Sequence, residues 1–103
     1  MAAVPAHAQD LRTEERHQVL LDATVRAYRV PPVPASLLDV STGGAMLRGD
    51  IHDLQKGDEI VLDARGKQIV ATIAWSNAQF FGLAFHKRLD SREMSWLKRV
   101  GRA

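Results

Sequence analysis

The 103-residue chain contains no cysteine. That absence excludes disulfides, thiol catalysis and zinc sites built on thiolate, and it suits a reducing compartment. No apolar run approaches the roughly 18 residues that a membrane-spanning helix needs. The opening stretch lacks an early Lys or Arg and meets Asp10 before any apolar core could form, so it does not read as a secretion signal. A cytoplasmic location is therefore expected, with no membrane insertion. A large charge surplus is also missing: 14 Lys and Arg face 12 Asp and Glu, a formal +2. With aromatics at only 6% and no interleaving of basic and aromatic residues, nucleic acid is not the expected partner.

The usual marks of an enzyme are missing as well. The histidines are His7, His17, His52 and His86, and no HExxH or phosphate-binding Gly-Lys-Ser/Thr loop accompanies them. Ser41 and Ser76 are nucleophiles by type only, because each would need a base and an oxyanion hole. Only a pocket bringing His52 or His86 to a hydroxyl would revive an enzyme reading. Asp50, Asp53, Asp58 and Asp63 stand near turns without calcium-loop spacing. No metal and no catalytic residue is expected.

What the chain does have is a period of two. Leu21, Ala23, Val25 and Ala27 alternate with Asp22, Thr24, Arg26 and Tyr28, which predicts a strand starting near Leu21. Pro31, Pro32 and Pro34 lack N–H groups, so this stretch predicts a turn or an extended edge. Further strands are expected over Ser36–Val40, Ala45–Arg48, Glu59–Asp63, Gln68–Trp75 and Gln79–Phe85. Ser41–Gly44, Arg65–Lys67 and Ser76–Ala78 supply turns. A capping box at Asp90-Ser91-Arg92-Glu93 opens a helix with Met94, Leu97 and Val100 on one stripe.

The fold class that follows is all-β: a small six-stranded antiparallel barrel with a C-terminal α-helix. Alternation alone leaves a small sandwich open. Trp75 and Phe85 are expected in the core or under the helix, with a ligand-facing Trp75 as the alternative. Strict alternation also sends either Phe80 or Phe81 outward. Residues 1–11 read as a flexible arm and 12–100 as the domain. The stretch from Asp10 to Gln18 predicts a short helix, which would place Arg12 and Arg16 on one face.

Two clusters remain. Arg12 and Arg16 could clamp phosphate through their guanidinium forks or stack on flat rings. They could equally form a solvated face. In Asp39-Val40-Ser41-Thr42-Gly43-Gly44, a carboxylate and a hydroxyl adjoin glycines that let a ligand approach the backbone. The same residues also suit an ordinary turn.

These two clusters together resemble the PilZ domain family, the bacterial receptor module for cyclic di-GMP. Arg12-Thr13-Glu14-Glu15-Arg16 has the form of its RxxxR motif, and Asp39, Ser41 and Gly44 match [DN]xSxxG. Gly57-Asp58-Glu59-Ile60, Ala74-Trp75 and Gly82-Leu83-Ala84-Phe85 extend the likeness over about residues 12–100. The resemblance implies a cyclic di-GMP receptor that is not an enzyme and holds no cofactor besides its ligand, which is often a stacked dimer. It implies that Arg12 and Arg16 contact phosphates and guanine faces. Asp39 and Ser41 would bond guanine or order the arm, and Gly43 and Gly44 would keep the approach clear. Binding would change the N-terminal arm and the interaction with an unidentified effector protein. The alternative is a degenerate module that binds protein without the nucleotide.

Overall fold

A computed structural model describes residues 15–101. It contains β1 (His17–Ala27), β2 (Val30–Val40), β3 (Gly44–Arg48), β4 (Glu59–Ala64), β5 (Lys67–Asn77), β6 (Phe80–Phe85) and a helix, α1 (Ser91–Val100). The strands close into a barrel in the order β1-β2-β3-β6-β5-β4, with every neighbouring pair antiparallel. Closure settles the choice between barrel and sandwich, and it pairs edges that an open sheet would leave exposed.

Alternation decides what fills the barrel. Val19, Leu21, Ala23 and Val25 of β1 point inward and meet Leu37, Leu47, Ile60, Leu62, Ile73 and Phe81 in one cluster. Phe81 is fully buried, whereas Phe80 beside it is exposed. Helix α1 adds Met94 and Leu97 to the same cluster. Its capping box is complete: the Asp90 carboxylate accepts the Glu93 N–H at 2.8 Å, and the Glu93 carboxylate accepts the Asp90 N–H at 2.9 Å. The helix ends at Gly101, whose carbonyl accepts the Leu20 N–H at 2.9 Å and so ties it to β1.

Two expectations change, and one left open between two alternatives is decided. The strand expected from Leu21 begins at His17, so His17 and Gln18 belong to a ladder opposite Val40 and Asp39 instead of a helix. Pairing across the barrel overrides the weak propensity of a short isolated helix. The proline stretch takes the extended-edge alternative and not the turn, because Val30–Pro34 is the first half of β2. It runs beside β1 alone until Ser36 pairs with Arg48, so its prolines lie at an edge and next to a register irregularity between Val25 and Ala27. Strand β5 continues through Asn77, which moves the turn to Ala78 and Gln79.

Two further irregularities shape one end of the barrel. Leu37 pairs with Leu47 but Asp39 with Met46, so β2 gains a residue against β3. Strict alternation from buried Leu37 would turn Asp39 inward. The shift instead buries Val40 and leaves Asp39 at the surface. Likewise Ile73 pairs with Leu83 but Trp75 with Gly82. Buried Ile73 is therefore followed by a Trp75 that remains 39% exposed.

Candidate ligand-binding site

The turn after β2 is built by its own polar groups. The Ser41 N–H donates to the Gly44 carbonyl at 2.8 Å, and the Ser41 hydroxyl lies 3.4 Å from the same oxygen. The Gly43 carbonyl accepts the Phe85 N–H at 2.9 Å. The Thr42 carbonyl accepts the Leu89 N–H at 2.8 Å, and Arg88 donates to the Thr42 hydroxyl at 2.7 Å. The turn is thus pinned to the chain that leads into α1.

Arg16 stands immediately before β1, where the strand faces the end of β2. Its guanidinium Nη1 lies 3.9 Å from Asp39 Oδ2, and its side chain is 73% exposed against 18% for Asp39. An exposed pair at that distance holds weakly. The guanidinium therefore keeps most of its hydrogen-bonding capacity for another anion, while Asp39 is more firmly set by the strand.

A groove of about 820 Å³ runs over this end of the barrel. Its volume lies within the roughly 300–1,000 Å³ typical of small-molecule sites. Arg16, Asp39, Ser41, Gly43 and Gly44 all line it. Five of the six residues singled out from sequence are thereby brought to one surface, from both sides of the β1–β2 pair. The sixth, Arg12, lies outside the described residues. Gly44 has a structural duty as well: a Cβ there would sit 2.3 Å from the Leu83 carbonyl oxygen.

Of the far wall, only Trp75 was named from sequence as facing a ligand, as the alternative to a core position. This wall consists of Ala74 and Trp75 from β5 and Gly82, Leu83 and Ala84 from β6, with Met46 between the walls. The expectation that Trp75 packs in the core fails for a definite reason: the irregularity after Ile73 turns it outward. Its indole crosses Gly82, where a Cβ would lie 2.1 Å from Nε1 and 2.5 Å from Cε2. Glycine inside a strand marks close approach of another group, and that was the available signal. Phe85, by contrast, is partly buried and packs against the core.

The remaining polar clusters lie elsewhere. Asp63 accepts the Gly66 N–H at 3.0 Å, Asp58 accepts the Gln55 N–H at 2.9 Å, and Asp50 accepts the His52 N–H at 3.2 Å. These carboxylates fasten turns. His86 does meet a hydroxyl, with Nε2 2.7 Å from Thr72 Oγ1 and Nδ1 3.5 Å from Glu59 Oε2. The group stands in the open on the barrel exterior, with the His86 side chain 41% exposed. It lacks the buried setting that acyl-transfer chemistry requires. Among the described residues, no group of His, Asp and Glu is arranged to hold a metal ion, and no helix is long and apolar enough to cross a membrane.

The architecture is a closed six-stranded barrel with a capped helix and a groove lined by both polar and apolar residues. The PilZ domain profile matches residues 10–100, and the chain belongs to that family. PilZ domains are generally cyclic di-GMP-binding or adaptor modules, not enzymes. A comparison with curated proteins gives no match.

Proposed function

We propose that the protein is a cytoplasmic receptor for cyclic di-GMP and that the groove over β2, β3, β5 and β6 is its binding site. One observation carries this reading: Arg16 and Asp39, from the two family motifs, stand side by side on that groove, with Ser41, Gly43 and Gly44 along the same wall. The chemistry matches the ligand at both ends. A guanidinium binds a phosphodiester oxygen through charge-assisted hydrogen bonds. A carboxylate accepts the N–H groups on the edge of guanine, and adenine presents no equivalent pair of donors to it. Arg12 completes the clamp from the segment preceding β1.

Ligand contacts made by Arg12 and Arg16 draw that segment against the barrel and change the surface offered to an effector protein. Such a shift requires the ligand to bind one arrangement better than the other, and the two arginines supply the difference. The ligand is a single molecule or, as is often the case in the family, a stacked dimer.

Isothermal titration with cyclic di-GMP tests the proposal, with GMP and cyclic di-AMP as controls. Saturable binding selective for the diguanylate is expected. Absence of heat together with an unchanged melting temperature at high ligand would overturn it and favour a module that binds protein alone.

A further inference from the structure

The positive charge of the chain is gathered at its C-terminal end. From Lys87 onward six basic residues face only Asp90 and Glu93, whereas the 86 residues before it carry eight basic against ten acidic ones. We propose that the outer face of α1 is a peripheral docking surface for an anionic lipid bilayer.

The helix shows which charges are free to act. Both acidic residues are engaged inside the fold: Asp90 caps the helix, and Glu93 bonds Lys67 and the Asp90 N–H. Arg92, Lys98 and Arg99 are exposed and form no ion pair among the described residues. Met94 and Leu97 hold the inner face of the helix in the core. Arg92, Trp96 and Arg99 follow at spacings of four and three residues, so they form a ridge on the side turned away from it. Trp96 is half-buried: part of it packs on the core, and the rest is open along that ridge. Leu20, 53% exposed, stands beside the end of the helix, where its N–H bonds the Gly101 carbonyl.

Lysine and arginine around a half-open tryptophan suit the headgroup layer of a membrane. There the indole takes the boundary between polar and apolar regions, and the cations meet phosphates. The apolar side of α1 already belongs to the core, so the contact is electrostatic and involves no insertion. The ridge is convex, and a plane of headgroups needs no matching recess. A cytoplasmic leaflet carries a negative potential that attracts basic residues within a screening length. The acidic excess of the rest of the chain orients the molecule with its helix toward that surface.

Cosedimentation of the full chain with vesicles tests this. The probes are vesicles of phosphatidylcholine alone and of phosphatidylcholine with about one-third phosphatidylglycerol, at low ionic strength. The protein should pellet with the mixed vesicles only, and added salt should release it. Arg92→Gln combined with Arg99→Gln should lower the partition coefficient about tenfold or more, with an unchanged melting curve. Arg29→Gln combined with Arg48→Gln removes the same charge elsewhere and should change it much less. Arg29 follows the end of β1 and Arg48 ends β3, whereas α1 and its leading segment are tied near the start of each. The emission of Trp96, isolated by Trp75→Phe because the chain has only two tryptophans, should shift to the blue on binding. Failure to pellet with the phosphatidylglycerol vesicles would overturn the proposal and turn the search to an acidic protein surface. Equal losses in the two double variants would overturn it as well, because the attraction would then belong to the chain as a whole. The assay contains no nucleotide, so its outcome is independent of the receptor reading.

Discussion

Asp39 and Trp75 stand on different strands, and each follows a register irregularity that turns it out of the barrel into the same groove. Residues two positions before them, Leu37 and Ile73, are buried almost completely. The contrast has a measurable consequence. Ile73→Ala should destabilise the protein by about 2–5 kcal/mol, as for other large-to-small changes in a closed core. Trp75→Phe, changing a half-open site, should cost less than about 1 kcal/mol. Urea unfolding of both variants without ligand checks the pair. Equal losses would mean that Trp75 is a core residue.

The arginine clamp predicts the opposite separation. Arg16 is largely exposed and 3.9 Å from its carboxylate partner, so Arg16→Ala should change ligand-free stability by less than about 0.5 kcal/mol. Loss of a charge-assisted bond to phosphate should weaken cyclic di-GMP binding about tenfold or more. Arg12→Ala should behave in the same way. Asp39→Asn keeps the shape of the side chain but replaces one of its two acceptor oxygens with an N–H donor and removes its charge, so it should narrow the preference over cyclic di-AMP. Titration calorimetry paired with melting curves separates these effects from unfolding.

Gly44 is expected to respond through the fold. It sits opposite Ala84, with the Leu83 carbonyl oxygen where a side chain would begin. Gly44→Ala should therefore push β3 from β6 and lower stability by about 1–3 kcal/mol. For a domain of this size each kcal/mol shifts the melting temperature by about 4–8 °C. A variant with an unchanged melting curve and weakened ligand binding would assign Gly44 to ligand clearance alone.

Much of this was legible beforehand, and the exceptions share a cause. Alternation located the strands because side chains in a ladder must face in or out, and the capping box at Asp90 located α1 because its bonds are local. Residue type and spacing left Arg16, Asp39, Ser41, Gly43 and Gly44 open between a ligand site and an ordinary surface or turn, and the resemblance to the family motifs singled them out as a site. Trp75 was misplaced because alternation is a local rule, whereas the irregularity beside it is set by how β5 meets β6. The start of β1 was missed for the same reason: the partner that makes His17 and Gln18 a strand lies at Asp39 and Val40.

The helix cap gives the fold a pH dependence. Lys67 and the Asp90 N–H both bond the Glu93 carboxylate and hold its pKa below the ordinary 4.5, Lys67 contributing most. A depressed carboxylate pKa stabilises the folded state above the unfolded value, and the contribution is lost as pH falls through the folded one. Stability should therefore drop below about pH 4.5, and Glu93→Gln should flatten part of that drop. Denaturation midpoints of both proteins between neutral and acidic pH provide the check. Identical pH profiles would remove Glu93 from the account.

The first half of β2 carries the last expectation. From Val30 to Pro34 this strand has β1 on one side, and its pairing to β3 begins only at Ser36. An open edge invites another chain to add a strand. Three of these five residues are prolines, Pro31, Pro32 and Pro34, and a proline offers no N–H to an incoming strand. Pro34 stands opposite Thr24 within the ladder and is tolerated there because the edge needs no donor from it. Replacing Pro32 and Pro34 with Thr restores two N–H groups and a strand-favouring side chain at each position. The double variant should keep the barrel, and light scattering should show it self-associating as its concentration rises. The unaltered protein under the same conditions should associate less. If the double variant associates no more than the unaltered protein, some feature other than its prolines guards this edge.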